Sequence, residues 1–228
     1  MKNKVVVLII ICLFLIGCST KLTDAEKFKK EYESLNGTKI NDKTIRNVNI
    51  DKNNPFVYKQ ANDIIEMMDN KETFVVYFGF SKCPWCRSII ESLIKVSEDL
   101  NLDKIYYVDV LDIRDTLTIS DDGNVIQSKK GSDDYYKLLD YFDNVLSDYE
   151  LYYNEEKIET NEKRIYAPNI ISVVNGSPKE LTTGISEKQT DAYMKLTDDM
   201  KEETYNSFKC IIECVLENNI SCSTKKEC

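Results

Sequence analysis

Three observations in the sequence predict an α/β fold in which helices flank a central mixed sheet. First, Thr73-Phe74-Val75-Val76-Tyr77-Phe78-Gly79-Phe80 and Ile105-Tyr106-Tyr107-Val108-Asp109-Val110 are near-continuous apolar, β-branched and aromatic runs. Runs of this kind form strands covered on both faces. Second, the segment between them places Ile89, Ile90, Leu93, Ile94, Ser97 and Leu100 on one helical face. Strand, helix and strand then make a βαβ unit, which pairs its strands in parallel with a right-handed crossover. Third, Ile170-Ile171-Ser172-Val173-Val174, the turn dipeptide Asn175-Gly176 and a return strand over 180–183 predict an antiparallel hairpin, which makes the sheet mixed.

The remaining elements follow from the same periodicities. A charged stretch up to Glu33 becomes helical near 25–35, and 45–50 reads as a short strand with loose alternation. Pro55 opens a helical stretch carrying Phe56, Ala61, Ile64, Ile65 and Met68. Residues 116–127 read as a hairpin about Asp121-Asp122-Gly123-Asn124. Tyr135, Leu138, Leu139, Phe142, Val145 and Leu146 predict a helix near 133–148, and 150–158 a small further hairpin. Thr197 caps a last helix running to about 218. There is no internal repeat and no long Gly/Pro linker, so the expectation is one domain over 45–218 with an insertion at 112–164. A polar tether over 18–44 precedes it and a cysteine-containing tail over 219–228 follows.

The chain begins with Lys2 and Lys4 and an apolar run over 5–16, too short for a permanent membrane span but in proportion for a secretory signal. The whole chain has 30 basic and 39 acidic residues, a net charge of −9. Without the signal segment, 28 basic residues face 39 acidic ones, a balance of −11 that argues against nucleic acid as a partner. There is no histidine, which removes Ser-His-Asp and Cys-His catalysis and histidine-bound zinc or haem.

Eight cysteines remain to be explained. Cys12 leaves with the signal, and Cys18 ends it in Leu15-Ile16-Gly17-Cys18. The other six are Cys83, Cys86, Cys210, Cys214, Cys222 and Cys228, an even number that fits three disulfides in an exported protein. Cys210 and Cys214, at i and i+4, share a face of the last helix. With Cys222 and Cys228 they allow three pairings, of which the nested one, Cys210–Cys228 and Cys214–Cys222, pins the tail to the helix. A relay of electrons from one of these pairs to Cys83 and Cys86 is the functional alternative.

The chemistry concentrates at Cys83-Pro84-Trp85-Cys86, between a buried strand and an apolar-faced helix. Cys83 falls at the helix N-cap and Pro84 at the first helical position, where a missing N–H costs nothing. Free N–H groups and the helix dipole favour a thiolate on Cys83, making it the attacking sulfur. Cys86, one turn on, is placed to resolve a mixed disulfide. Lys82 adds positive charge and Trp85 a flat apolar surface beside the sulfurs. A structural disulfide is one alternative, and zinc bound with Cys210 and Cys214 another. No cofactor is called for, since the two sulfurs carry the electrons.

Phe78-Gly79-Phe80-Ser81-Lys82-Cys83-Pro84-Trp85-Cys86 resembles the active-site segment of the thioredoxin superfamily, and the resemblance spans about 45–218. It implies a thioredoxin-like fold. It also implies a cis proline at Tyr166-Ala167-Pro168: Pro168 facing the CxxC, and Ala167 offering its backbone to a substrate chain. Leu15-Ile16-Gly17-Cys18 resembles a bacterial lipobox, which implies a lipid on Cys18 and anchoring outside the cytoplasm. Together these are similar to thioredoxin-like lipoproteins of Gram-positive bacteria, the bacteriocin-transport accessory type. The resemblance implies a surface thiol–disulfide oxidoreductase acting on exported proteins or peptides, coupled to a membrane electron donor or acceptor. The second reading is a non-catalytic accessory lipoprotein on the same scaffold. Two departures leave the direction of electron flow open: Tyr77 stands where thioredoxins carry a buried aspartate, and no histidine lies between the cysteines.

Overall fold

The computed structural model describes residues 21–217. The expected signal segment, the lipid site Cys18 and the tail with Cys222 and Cys228 lie outside the described residues. Five strands form the central sheet: β3 (Phe56–Tyr58), β4 (Phe74–Gly79), β5 (Ile105–Asp109), β10 (Asn169–Val174) and β11 (Ser177–Thr182). Their order is β11-β10-β4-β5-β3. β3, β5 and β4 run parallel, whereas β10 is antiparallel to both β4 and β11. The sheet is mixed, as the βαβ unit and the hairpin predict.

Both faces are covered, and the alternation along β4 divides them. Val75 and Tyr77 join the first core with α1 (Asp24–Glu33), α3 (Pro84–Asp99) and α5 (Asp198–Leu216). Phe74, Val76 and Phe78 join the second with α2 (Ala61–Asp69) and α4 (Asp133–Phe142). All six β4 residues are buried, which is why that run has no polar alternation. Three two-stranded hairpins stand apart from the sheet: β1 (Lys39–Ile40) with β2 (Lys43–Thr44), β6 (Thr116–Ile119) with β7 (Val125–Lys129), and β8 (Asp148–Tyr153) with β9 (Glu156–Lys163). No described helix is long and apolar enough to cross a membrane.

Several expectations are corrected. The 18–44 segment is not a tether throughout: Thr23 caps α1 with a reciprocal Glu26 contact, and Phe28 and Tyr32 are fully buried. Phe28 stacks on Tyr32 at 4.4 Å and on Phe56 at 4.0 Å. Residues 45–50 bury Ile45, Val48 and Ile50 but form no strand. Their backbone groups bond to side chains instead, Val48 to Asn36, Asn49 to Glu91 and Ile50 to Glu33. The edge strand is Phe56–Tyr58, where Pro55 opens a strand rather than a helix, and α2 starts at Ala61. α4 ends at Phe142, not near 148; Val145 and Leu146 keep the apolar spacing because a turn bonded to the Phe142 carbonyl tucks Leu146 into the same core. The β8–β9 hairpin is longer than 150–158, turning at Asn154 and Glu155 with φ of 48° and 70°.

The tight turn between β10 and β11 shows why Asn175-Gly176 stands there. Both residues have positive φ, 51° and 74°, and a Cβ on Gly176 would lie 2.1 Å from the Met68 carbonyl oxygen.

Candidate functional site

The site is built where β4 ends. Cys83 caps α3 with φ of −70° and ψ of 118°, and Pro84 opens the helix. The Cys83 Sγ accepts a hydrogen bond from the Cys86 backbone N–H at 3.3 Å. Cys83 and Cys86 lie close together without a disulfide between them. Cys83 keeps a sliver of exposure, 4%, whereas Cys86 has none. A reagent from solvent therefore meets Cys83 first.

Their environments push the two thiols apart. Cys83 is held below an ordinary thiol chiefly by the hydrogen bond from the Cys86 thiol, which outweighs burial. The N–H groups of Cys86 and Trp85 and the charge of Arg114 act in the same direction. Cys86 is pushed well up, first by burial and then by the Cys83 sulfur; the Tyr77 hydroxyl and the Phe80 backbone N–H act against this. The pair thus holds one lowered and one raised thiol one helical turn apart.

The Ala167–Pro168 bond is cis, and it faces this pair: the Cys83 thiol donates to the Ala167 carbonyl at 3.2 Å. The loop is propped by the segment expected as an insertion. Tyr166 donates its hydroxyl to the Asp148 carbonyl at 3.1 Å and accepts from the Glu150 N–H at 2.8 Å. The Ile165 N–H donates to the Tyr135 hydroxyl at 3.4 Å, and the Arg164 guanidinium lies 3.8 Å from the Tyr149 ring centre. Phe80, Trp85 and Ala167 are half-buried against the core and flank the sulfurs with apolar surface.

The structure brings together Cys83, Pro84, Trp85, Cys86, Ala167 and Pro168. Lys82, expected to supply positive charge, is exposed; the charge of Arg114, held 5.0 Å above the Phe80 ring, makes a small lowering contribution at Cys83. Cys210 and Cys214 are both disulfide-bonded and so offer no thiolate to a metal. The expected pairing, Cys210 with Cys228 and Cys214 with Cys222, lies outside the described residues.

Sequence reasoning missed three residues here. Arg87 is 1% exposed and donates from Nε to the Arg46 carbonyl at 2.6 Å, from Nη1 to Tyr32 and Ser81 carbonyls at 2.9 and 3.2 Å, and from Nη2 to Asn36 Oδ1 at 2.7 Å. It ties the end of α1 to the loop carrying Cys83. Its spacing to Ile90 and Ile94, i+3 and i+7, was the available signal that it lies on the buried stripe. Tyr32 and Arg114 left no such signal, because their neighbours at the site are far away in sequence.

No family model matches the chain, no curated protein matches it, and no solved structure matches it.

Proposed function

We propose that the protein is a thiol–disulfide oxidoreductase of the thioredoxin type, held outside the cell membrane by a lipid on Cys18 and acting on exported proteins or peptides. The observation that carries the reading is the asymmetry of Cys83 and Cys86. The first caps a helix with a lowered thiol and an exposed edge, and the second is sealed one turn behind it with a raised one. The cis Ala167–Pro168 bond facing Cys83 supports the same reading. So does a sheet in which the CxxC strand β4 lies between parallel β5 and antiparallel β10.

In the reductive direction the Cys83 thiolate attacks a client disulfide. One client sulfur stays bonded to Cys83 and the other leaves as a thiol. Cys86 then displaces the bound client sulfur, and the pair ends as a disulfide with the client reduced by two electrons. The oxidative direction runs the same steps backwards. The reduction potential decides between them: about −270 mV marks a reductase, about −120 to −180 mV an oxidase or isomerase.

Cys86→Ser tests the reading. With the resolving sulfur gone, a client joined to Cys83 accumulates as an adduct on a non-reducing gel, and Cys83→Ser abolishes it. A Cys86→Ser protein that forms no adduct with exported proteins overturns the enzymatic reading and leaves a scaffold that binds without turnover.

A further inference from the structure

The β6–β7 and β8–β9 hairpins stand beside the site as one piece. The Tyr149 hydroxyl of β8 accepts from the Leu117 N–H of β6 at 3.1 Å. Four positions further along both segments, the Tyr153 hydroxyl donates to the Asp121 carbonyl at 3.3 Å. A Cβ on Gly123 would lie 3.6 Å from the Tyr153 ring, so the two turns touch. β6 and β8 thus run side by side in the same direction, joined through tyrosines rather than by a backbone ladder. The root of the pair is fixed to the loop of Ala167 and Pro168 by the two bonds of the Tyr166 hydroxyl to Asp148 and Glu150. At about 3.4 Å per residue, Tyr153 stands roughly 14 Å beyond Tyr149, at the free end.

That end is apolar. Val125 and Ile126 on β7 and Tyr152 and Tyr153 on β8 are all exposed, Tyr152 most at 62%. They are four of the six large apolar side chains most open to water among the described residues. Single exposed apolar residues are ordinary, whereas a group of four at one end marks a contact surface. Successive strand residues face opposite ways, so both faces of the tips carry it.

The rest of the surface is carboxylate. Over 116–129 and 148–163 there are eight acidic residues against three lysines. Asp121, Glu155, Glu156, Glu159 and Glu162 are exposed, and no cation bonds to them among the described residues. The three lysines are engaged elsewhere. Lys157 pairs with Glu150 at 2.7 Å and Lys163 with Asp148 at 2.9 Å, while Lys129 donates to the Leu111 and Asp112 carbonyls at 3.1 and 2.8 Å.

We propose that the joined hairpin tips dock a cationic segment of the client polypeptide, one in which Lys or Arg alternates with apolar residues. This rests on the oxidoreductase reading above and names the kind of client its site takes. The apolar side chains of the segment cover Val125, Ile126 and the tyrosine rings, and its cations meet the carboxylates and the ring faces. Charge disfavours other occupants: a second copy would set carboxylate against carboxylate, and an anionic lipid surface would be repelled in the same way. Because the root is bonded to the loop facing Cys83, a segment held at the tips keeps its disulfide near the sulfurs and raises its effective concentration there.

The test compares two peptides with the same disulfide and different flanking segments, one alternating Lys and Leu and the other Glu and Leu. Oxidation of the reduced full chain is followed against peptide concentration. The lysine peptide should half-saturate at about tenfold lower concentration, as several exposed ion pairs together supply, and the advantage should shrink as salt rises. Glu155→Gln/Glu156→Gln/Glu159→Gln should remove most of that advantage. Ile126→Ser/Tyr152→Ser should weaken the lysine peptide as well, and neither variant should alter the rate with hydroxyethyl disulfide, which has no segment to dock. Equal half-saturation by the two peptides, or a preference that survives in both variants, overturns the proposal. So does self-association, or adsorption to vesicles of anionic lipid, that is lost in Ile126→Ser/Tyr152→Ser.

If neither peptide nor hydroxyethyl disulfide oxidises the protein, the oxidoreductase reading fails. Docking is then decided separately, by fluorescence anisotropy of a labelled, cysteine-free lysine peptide with Cys83→Ser/Cys86→Ser. Binding that the Glu→Gln triple variant weakens upholds the docking surface, and no binding overturns it.

Discussion

Replacing Phe28 by alanine tests whether α1 belongs to the fold or only leads up to it. The ring is fully buried, stacked between Tyr32 and Phe56 and set edge-on to Tyr107 at 5.0 Å. A buried aromatic ring removes roughly 150–250 Å² from water, worth about 4–6 kcal/mol at ~25 cal/mol/Å², of which alanine keeps a part. Deletions of buried phenylalanine cost about 3–5 kcal/mol once the cavity is counted. We expect about 4 kcal/mol, a large fraction of the roughly 5–15 kcal/mol that holds a domain together. Urea unfolding followed by far-ultraviolet circular dichroism measures it, as a fall in midpoint at constant slope. A loss below about 1 kcal/mol would refute the reasoning, because α1 would then be a loosely docked leader and the Tyr32–Tyr77 contact incidental.

Two further outcomes are expected of the site. In the reduced protein Cys83 is the lowered thiol, so its thiolate population, and its alkylation by iodoacetamide, rises at a lower pH than for an ordinary cysteine. Cys86 is the raised one and lags. Peptide mass spectrometry near neutral pH should find label on Cys83 first, and label on Cys86 first would reverse the assigned roles. Arg87→Leu strips the partner from three carbonyls and from Asn36 Oδ1, and should cost about 3 kcal/mol or more. Arg87→Lys should not restore it, since one ammonium cannot reach all four acceptors. A lysine variant that melts with the unmodified protein would show that the fork of bonds is dispensable.

The parts of the fold that were legible are those whose cause is local. β4 and β5 were visible because a strand covered on both faces has no polar alternation. α3 was visible from its stripe, and the β10–β11 turn from the positive φ that Asn175 and Gly176 both adopt. The cap at Cys83 and the proline after it are equally local, so Cys83 could be placed at the helix start from the motif alone. By contrast, 45–50 carries strand-like residues but spends its backbone bonds on Asn36, Glu33 and Glu91. Nothing in the segment itself reveals those partners.

The sequence by itself therefore determined the order of the main elements, the mixed sheet, and the pair Cys83–Cys86 at a helix start. Periodicity, caps and turn residues act over a few positions and can be read there. Only the tertiary structure decided that α1 is core, that Arg114 comes near enough for its charge to act on Cys83, and that Tyr32 reaches Tyr77. Tyr32 and Tyr77 are 45 positions apart. Contacts of that range arise from how two layers close on a sheet, and a buried hydroxyl has no partner until they have closed.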